Sequence, residues 1–102
     1  MEGSVFDTVA SEPIGDLIRK LRHSRALSQQ GLASRLANAS GNDAITRRQV
    51  ARWEHGNRIP SPYWRKWIGV VLEVPISSLN GAAALAQFVR AAPDVAEHLQ
   101  RH

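Results

Sequence analysis

Apolar residues recur along most of this chain at the three- and four-residue spacing of an amphipathic helix, and no stretch alternates as a strand does. The first predicted helix covers residues 13–24, with Ser11 as candidate N-cap and Pro13 in its first turn. Its apolar stripe is formed by Ile14, Leu17, Ile18 and Leu21.

Two further helices follow in the middle of the chain. The second is expected to start after the N-cap candidate Ser28 and to end near Asn38, before a run at 39–44 with loop composition. The third starts after Thr46 and ends near His55. Ile45 can pack just ahead of its cap, Val50 and Trp53 point inward, and Gly56 suits a left-handed C-terminal residue.

The last third of the chain also has helical patterning. Ser61 and Pro62 begin a fourth helix, and Pro75 opens a fifth, which we expect Gly81 to break or bend. The pattern predicts an all-α fold of five helices with an additional C-terminal helical segment. The expected segments are a flexible arm at 1–12, a helical domain at 13–80 and a helical extension at 81–102.

Length and composition fit one small domain. The chain has 102 residues, of which 43% are hydrophobic, and it has no cysteine. No apolar run approaches the roughly 20 residues needed to span a bilayer, and the N-terminus lacks the features of a secretory signal. We therefore expect a cytoplasmic protein with no membrane partner.

Charge is distributed unevenly. Residues 1–16 have four acidic and no Lys or Arg residues, whereas residues 17–66 have eleven Lys or Arg and only two acidic residues. Residues 67–102 carry a net charge of −1. A basic middle between acidic ends indicates either a polyanion-binding region or a solvated basic surface.

The second and third predicted helices contain an informative motif. It begins Leu27-Ser28-Gln29-Gln30-Gly31-Leu32-Ala33 and continues, after the loop, from Ile45 through Trp53-Glu54-His55-Gly56 to Arg58-Ile59-Pro60. This pattern resembles the Cro/repressor-type helix-turn-helix family, also called the xenobiotic-response-element (XRE) family, over residues 14 to about 79. The resemblance implies a lambda-repressor-like domain at 13–80 and a bacterial or phage transcriptional regulator that binds double-stranded DNA.

The first turns of the third helix carry the residues expected to read base edges. An α-helix fits the major groove of B-DNA, and residues near its N-terminus can reach the bases. Arg can pair bidentately with guanine and Gln with adenine. The base-reading candidates are Arg47, Arg48, Gln49 and Arg52.

A second set of polar residues is expected to contact phosphates. By resemblance, Gln29 grips the DNA backbone and braces the recognition helix. The other phosphate candidates flank that helix and are Thr46, His55, Asn57 and Arg58. The family also ties a first-helix arginine to the glutamate of this motif, which implies an ion pair between Arg22 and Glu54; the alternative is a solvent-exposed Glu54.

One feature departs from the family. Its usual turn between the second and third helices is short, whereas this chain has eight residues, 37–44, between Leu36 and Ile45. Either the second helix lengthens or the loop bulges outward, and Ser40, Gly41 and Asn42 could then lie near the DNA backbone. Loops tolerate such insertions at modest entropic cost.

Other candidate chemistry is weak. Tyr63 and the tryptophans 53, 64 and 67 could form a stacking platform for single strands, but the helical spacing of the tryptophans favours core packing. His98 and His102 are four apart without a third ligand, so we expect no metal site. No nucleophile motif or phosphate-binding glycine loop is present, and we expect neither enzymatic activity nor a cofactor.

The C-terminal segment suggests a protein partner. Leu85, Phe88, Val89, Val95 and Leu99 are more apolar groups than an isolated tail should expose. They fold onto the core or pair with a second copy, and we expect a homodimer on an inverted-repeat operator. Three alternatives stay open: an antitoxin or transcription adaptor that acts mainly through protein contacts, a general basic nucleoid protein, and the DNA-binding part of a longer regulator.

Overall fold

The structure, a computed structural model, describes residues 12–91, and this part of the chain contains five helices and no strand. The helices are α1 (Ile14–Ser24), α2 (Gln29–Ser40), α3 (Arg47–Glu54), α4 (Pro62–Leu72) and α5 (Ile76–Ala91). The predicted all-α class is confirmed. Residues 1–11 of the predicted arm, with the Ser11 cap, lie outside the described residues. So do residues 92–102 of the predicted helical extension, with Val95, Leu99, His98 and His102.

Three helix starts carry the predicted caps. In each, a hydroxyl oxygen accepts a hydrogen bond from the backbone N–H three residues later, which satisfies one of the free donors of the first turn. The pairs are Ser28 with Gly31, Thr46 with Gln49, and Ser61 with Trp64.

The predicted start of α1 is wrong by one residue. Pro13 is the N-cap itself, with an extended backbone (ψ 156°) and no side-chain cap, and the helix begins at Ile14. The Pro13 carbonyl accepts the first intrahelical hydrogen bond, from the Leu17 N–H at 3.1 Å, as an N-cap carbonyl does. Lys20 pairs with Glu12 at 2.7 Å just before this start.

Helix α2 ends later than the expected Asn38, which confirms the alternative that the second helix lengthens. The helix continues past Asn38 to Ser40, whose hydroxyl donates to the Leu36 carbonyl at 2.7 Å. Gly41 then ends the helix in the left-handed conformation, with φ 71°. Half of the segment 37–44 is thus helical, and the connection to α3 is residues 41–46.

Helix α5 is continuous through Gly81. The expected break is absent because Ala82, Ala83 and Ala86 are buried, so close packing of small side chains holds this stretch as a helix. The boundary placed after residue 80 lies inside this helix, and residues 81–91 share the core of the preceding segment. Phe88 remains about half exposed, at 53%.

The core lies between all five helices. Helix α3 packs between α1 and α2, α2 also contacts α4, and α5 packs against α1 and α4. Trp53 is fully buried, while Trp64 and Trp67 are partly buried against the core. The other large, fully buried apolar side chains are Ile14, Ile18, Leu32, Leu36, Val50, Pro60, Ile68, Leu72 and Leu79. Within residues 12–91, no helix is both long and apolar enough to cross a membrane.

Helix α1 meets the end of α3 at a backbone contact. A Cβ atom placed on Gly15 would lie 2.3 Å from the Trp53 carbonyl oxygen, well inside van der Waals contact. Only a residue without a side chain allows the two helices to approach this closely. Gly15 therefore sets the distance between α1 and the C-terminal end of α3.

Gly15→Ala is expected to destabilise the fold. Alanine would gain up to about 1 kcal/mol in helix propensity, but overpacking against rigid backbone should cost about 1–3 kcal/mol or more. Urea denaturation would show a lower midpoint than the wild type. The control His23→Ala, at an exposed α1 position, should stay within about 0.5 kcal/mol. A Gly15→Ala midpoint at or above the wild-type value would contradict this contact.

Candidate nucleic-acid interface

Helix α3 has a buried face and a basic, exposed face. Val50 and Trp53 are almost completely buried and hold the helix to the core. Arg47, Arg48 and Arg52 are exposed, and Gln49 is half-buried. Three of the four predicted base-reading residues thus lie on the solvent side of α3, and the fourth lies at its edge.

The carboxylate of α3 is turned away from this basic face. Glu54 is buried, with 3% of its surface exposed, and forms a bidentate ion pair with Arg22. Arg22 Nε donates to Oε2 at 2.6 Å, and Nη2 donates to Oε1 at 2.9 Å. These are the two partners that the family resemblance implies, and Glu54 is not solvent-exposed.

The ion pair alters both ionisation equilibria. Burial by itself would raise the pKa of Glu54, but hydrogen bonds from Arg22 and Gln29 and the charges of Arg22 and Arg19 together hold that pKa below its ordinary value. The hydrogen bond to Glu54 raises the pKa of Arg22, against the effect of burial. Both groups therefore stay charged at neutral pH.

Gln29 connects the ion pair to the exposed face. Its Nε2 donates to Glu54 Oε1 at 3.0 Å, and its Oε1 accepts a hydrogen bond from Arg47 Nη1 at 3.3 Å. A continuous chain of contacts therefore runs from Arg22 in the core, through Glu54 and Gln29, to Arg47 at the start of α3.

Most of the predicted phosphate-binding residues lie at the two ends of α3. Thr46 lies at its N-terminal end, where its hydroxyl forms the cap, whereas Gln29 bonds to both Arg47 and Glu54 and so lies alongside the helix. His55, Asn57 and Arg58 are exposed just after its C-terminus, and His55 Nδ1 lies 2.8 Å from the Ala51 carbonyl. An eight-residue helix is about 12 Å long, so the two groups are separated by roughly that distance.

The polar residues of the α2–α3 connection bond mainly to one another. Asn42 donates its backbone N–H to Ser40 Oγ at 3.1 Å, and Asn42 Oδ1 accepts from the Ala44 N–H at 2.9 Å. Such local bonds are typical of Asx turns. These side chains therefore order the connection itself.

Sequence reasoning missed one neighbour of Glu54. Arg19 Nη2 donates to the backbone carbonyl of Glu54 at 3.3 Å, and its Nε lies 3.9 Å from Glu54 Oε1. Because Arg19 precedes Arg22 by three residues, both lie on the same side of α1. That spacing was the available signal.

No family model matches this chain, and no curated protein or solved structure shows significant similarity to it. The resemblance to the Cro/repressor-type family stays a prediction carried by the residues themselves.

Removing Arg22 should strongly destabilise the domain. Arg22→Leu would leave the Glu54 carboxylate buried without its counter-ion, and breaking a buried pair typically costs about 3–5 kcal/mol. The double variant Arg22→Leu/Glu54→Leu should recover most of this loss, because it leaves no buried charge. Denaturant unfolding measures both. Arg35→Leu, at an exposed position, is the control, and an Arg22→Leu loss as small as the control's would refute the role of the pair.

Protonation of Glu54 should lower the free energy of unfolding in acid. Its folded-state pKa lies below the ordinary value of 4.5, so its contribution is present above about pH 4.5 and lost as pH falls through the folded-state pKa. The free energy of unfolding, measured in urea between pH 7 and pH 3, should therefore drop less for Glu54→Gln than for the wild type. Glu73→Gln, whose side chain is 75% exposed, should retain the wild-type slope. Parallel pH profiles for wild type and Glu54→Gln would count against this assignment.

Proposed function

We propose that this protein is a sequence-specific regulator of transcription that binds double-stranded DNA through α3. The observation that carries the proposal is the exposed face of α3. Three arginines face solvent there, and the one carboxylate of the helix is buried and paired with Arg22. An unpaired carboxylate at this position would repel phosphate, whereas this arrangement leaves a positive helix surface.

The geometry suits a helix in the major groove. The groove is about 12 Å wide and admits one α-helix. Buried Val50 and Trp53 fix α3 by its inner side, and Arg48 and Arg52, one turn apart, project from the exposed part. A rigidly held helix with free guanidinium groups is what bidentate recognition of guanine requires.

Phosphate contacts would then come from both ends of α3. Thr46 lies at one end, His55, Asn57 and Arg58 lie at the other, and Gln29 lies alongside the helix, bonded to Arg47 and Glu54. Contacts to two backbone strands on either side of a groove fix the register of the helix without reading sequence. Each cationic side chain that neutralises a phosphate adds to the salt dependence of binding.

We further propose that the protein acts as a homodimer, as a repressor on an inverted repeat. Large apolar side chains are exposed on α4 and α5, namely Val70 (56%), Ile76 (45%) and Phe88 (53%). Burial of such groups against a second copy would present two α3 helices to half-sites about 34 Å apart. A cytoplasmic, nucleoid-associated location follows from the proposal.

The same exposed apolar groups favour a second candidate function. An antitoxin or transcription adaptor would use them to bind a different protein, and DNA binding would be secondary or absent. The two functions differ in what they require of α3, because an adaptor has no need for free arginines on that helix.

Selection of bound sequences from random duplexes tests the proposal. The full chain should enrich a defined motif at physiological salt, and Arg48→Ala should lose the preference at one position, by about 1–3 kcal/mol. Circular dichroism should show an unchanged helix content in the variant. An unchanged motif would remove Arg48 from the base-reading set, and no enrichment by the wild type would favour the adaptor or a general nucleoid protein.

A further inference from the structure

The three exposed arginines of α3 differ in what holds them. Arg47 Nη1 donates to Gln29 Oε1 at 3.3 Å. The guanidinium groups of Arg48 and Arg52 have no hydrogen-bond or ion-pair partner within residues 12–91. Arg47 is thus drawn toward α2, while the other two remain free to move toward a ligand.

The hydrogen bond to Glu54 fixes the orientation of the Gln29 amide. Its nitrogen donates to Glu54 Oε1 at 3.0 Å, so its oxygen must point the other way, toward Arg47. A flipped amide would place the oxygen against a carboxylate and the N–H groups against a guanidinium, and both contacts would be repulsive. Since Arg22 holds Glu54 with two bonds, Arg47 is the last member of a chain anchored in the core.

We infer that Arg47 contacts the DNA backbone and that Arg48 and Arg52 read the bases, an inference that rests on the proposed function. When a recognition helix lies in the major groove, the helix before it crosses the sugar–phosphate backbone. Gln29 is the first residue of α2, so a guanidinium held against it lies on the backbone side of α3. Arg48 and Arg52 lie one turn apart on α3 without such a tether.

The chemistry of the two side chains agrees with this assignment. The amide oxygen of Gln29 is an acceptor, and it faces Arg47. Arg47 uses one of its five N–H donors on that oxygen and keeps the others for a phosphate. Gln29 then positions Arg47, and Arg47 supplies a phosphate contact in addition to the one proposed for Gln29, whose second Nε2 N–H is not used on Glu54.

The test compares sequence motifs and salt dependence for the full chain. Motifs are selected from random duplexes for the wild type, Arg47→Ala and Arg48→Ala, and Kd is measured for the selected and a scrambled duplex at several salt concentrations. Arg47→Ala should keep every motif position, weaken both duplexes by the same factor and lower the slope of log K against log salt by about 0.9. Arg48→Ala should lose one position, with about 5- to 150-fold discrimination there.

Two further variants isolate the role of Gln29. Gln29→Ala should keep the motif, and in that background Arg47→Ala should weaken binding by a smaller factor than in the wild type, because Arg47 is no longer positioned. Lys66→Ala removes one positive charge from α4, where Lys66 lies over the Trp67 ring, and should retain the wild-type motif and salt slope.

The outcomes separate this inference from the proposed function. Loss of a motif position in Arg47→Ala, or an unchanged salt slope, would overturn the assignment of Arg47 while sequence-specific binding by the wild type still held. Absence of any enriched motif for the wild-type chain would instead overturn the proposed function, and the inference with it.

Discussion

The buried ion pair between Arg22 and Glu54 determines how α3 is presented. Three helices meet at this carboxylate, since Arg22 belongs to α1, Gln29 begins α2 and Glu54 ends α3. Arg22 also donates to the Leu27 carbonyl at 2.8 Å, which ties the α1–α2 connection to the same point. Buried ion pairs add little net stability compared with apolar packing. The directional bonds of this pair nevertheless link α1, the start of α2 and the end of α3 at one point.

Backbone packing imposes the same arrangement by other means. Gly15 brings α1 against the Trp53 carbonyl, and the Trp53 side chain fills the space between the helices. At the other end of α3, the Thr46 cap and buried Ile45 fix the entry of the chain. A side chain can recognise a partner with precision only when the element that carries it is held from several sides. Helix α3 is held in this way at both of its ends.

Local sequence signals predicted which segments are helical better than they predicted where each helix ends. The caps at Ser28, Thr46 and Ser61 were readable because each places a hydroxyl ahead of an apolar helical pattern. The added length left lengthening of α2 open as an alternative, but the last two residues of the helix could not be assigned from the sequence, since Ala39-Ser40-Gly41 has the composition of a loop. The bond from Ser40 to Leu36 forms only in the helix. Continuity through Gly81 depends on burial of the following alanines against α1 and α4, which is a tertiary effect.

Prediction from the sequence was limited in the same way for the contacts of the candidate site. The pairing of Arg22 with Glu54 was implied by a family pattern, and the exposed arginines followed from helical periodicity. The resemblance implied that Gln29 braces the recognition helix, but it did not identify Arg47 as a partner, because that contact depends on the orientation of the Gln29 amide, which Glu54 determines. Arg19 was missed although its spacing from Arg22 places both on one side of α1, because its hydrogen bond goes to the backbone carbonyl of Glu54 and not to the side chain.

The segment between α2 and α3 is longer than in the family that the sequence resembles, and the structure shows where the added residues lie. Part of the added length extends α2 to Ser40, and the rest closes on itself through bonds of Ser40 and Asn42. The apolar contacts of Leu32, Leu36 and Val50 in the core do not involve the exposed part of this connection. Ile45 and Thr46 at the end of the connection still fix the start of α3, through burial in the core and through the helix cap. The added residues before them therefore leave the cap and the buried side of α3 in place.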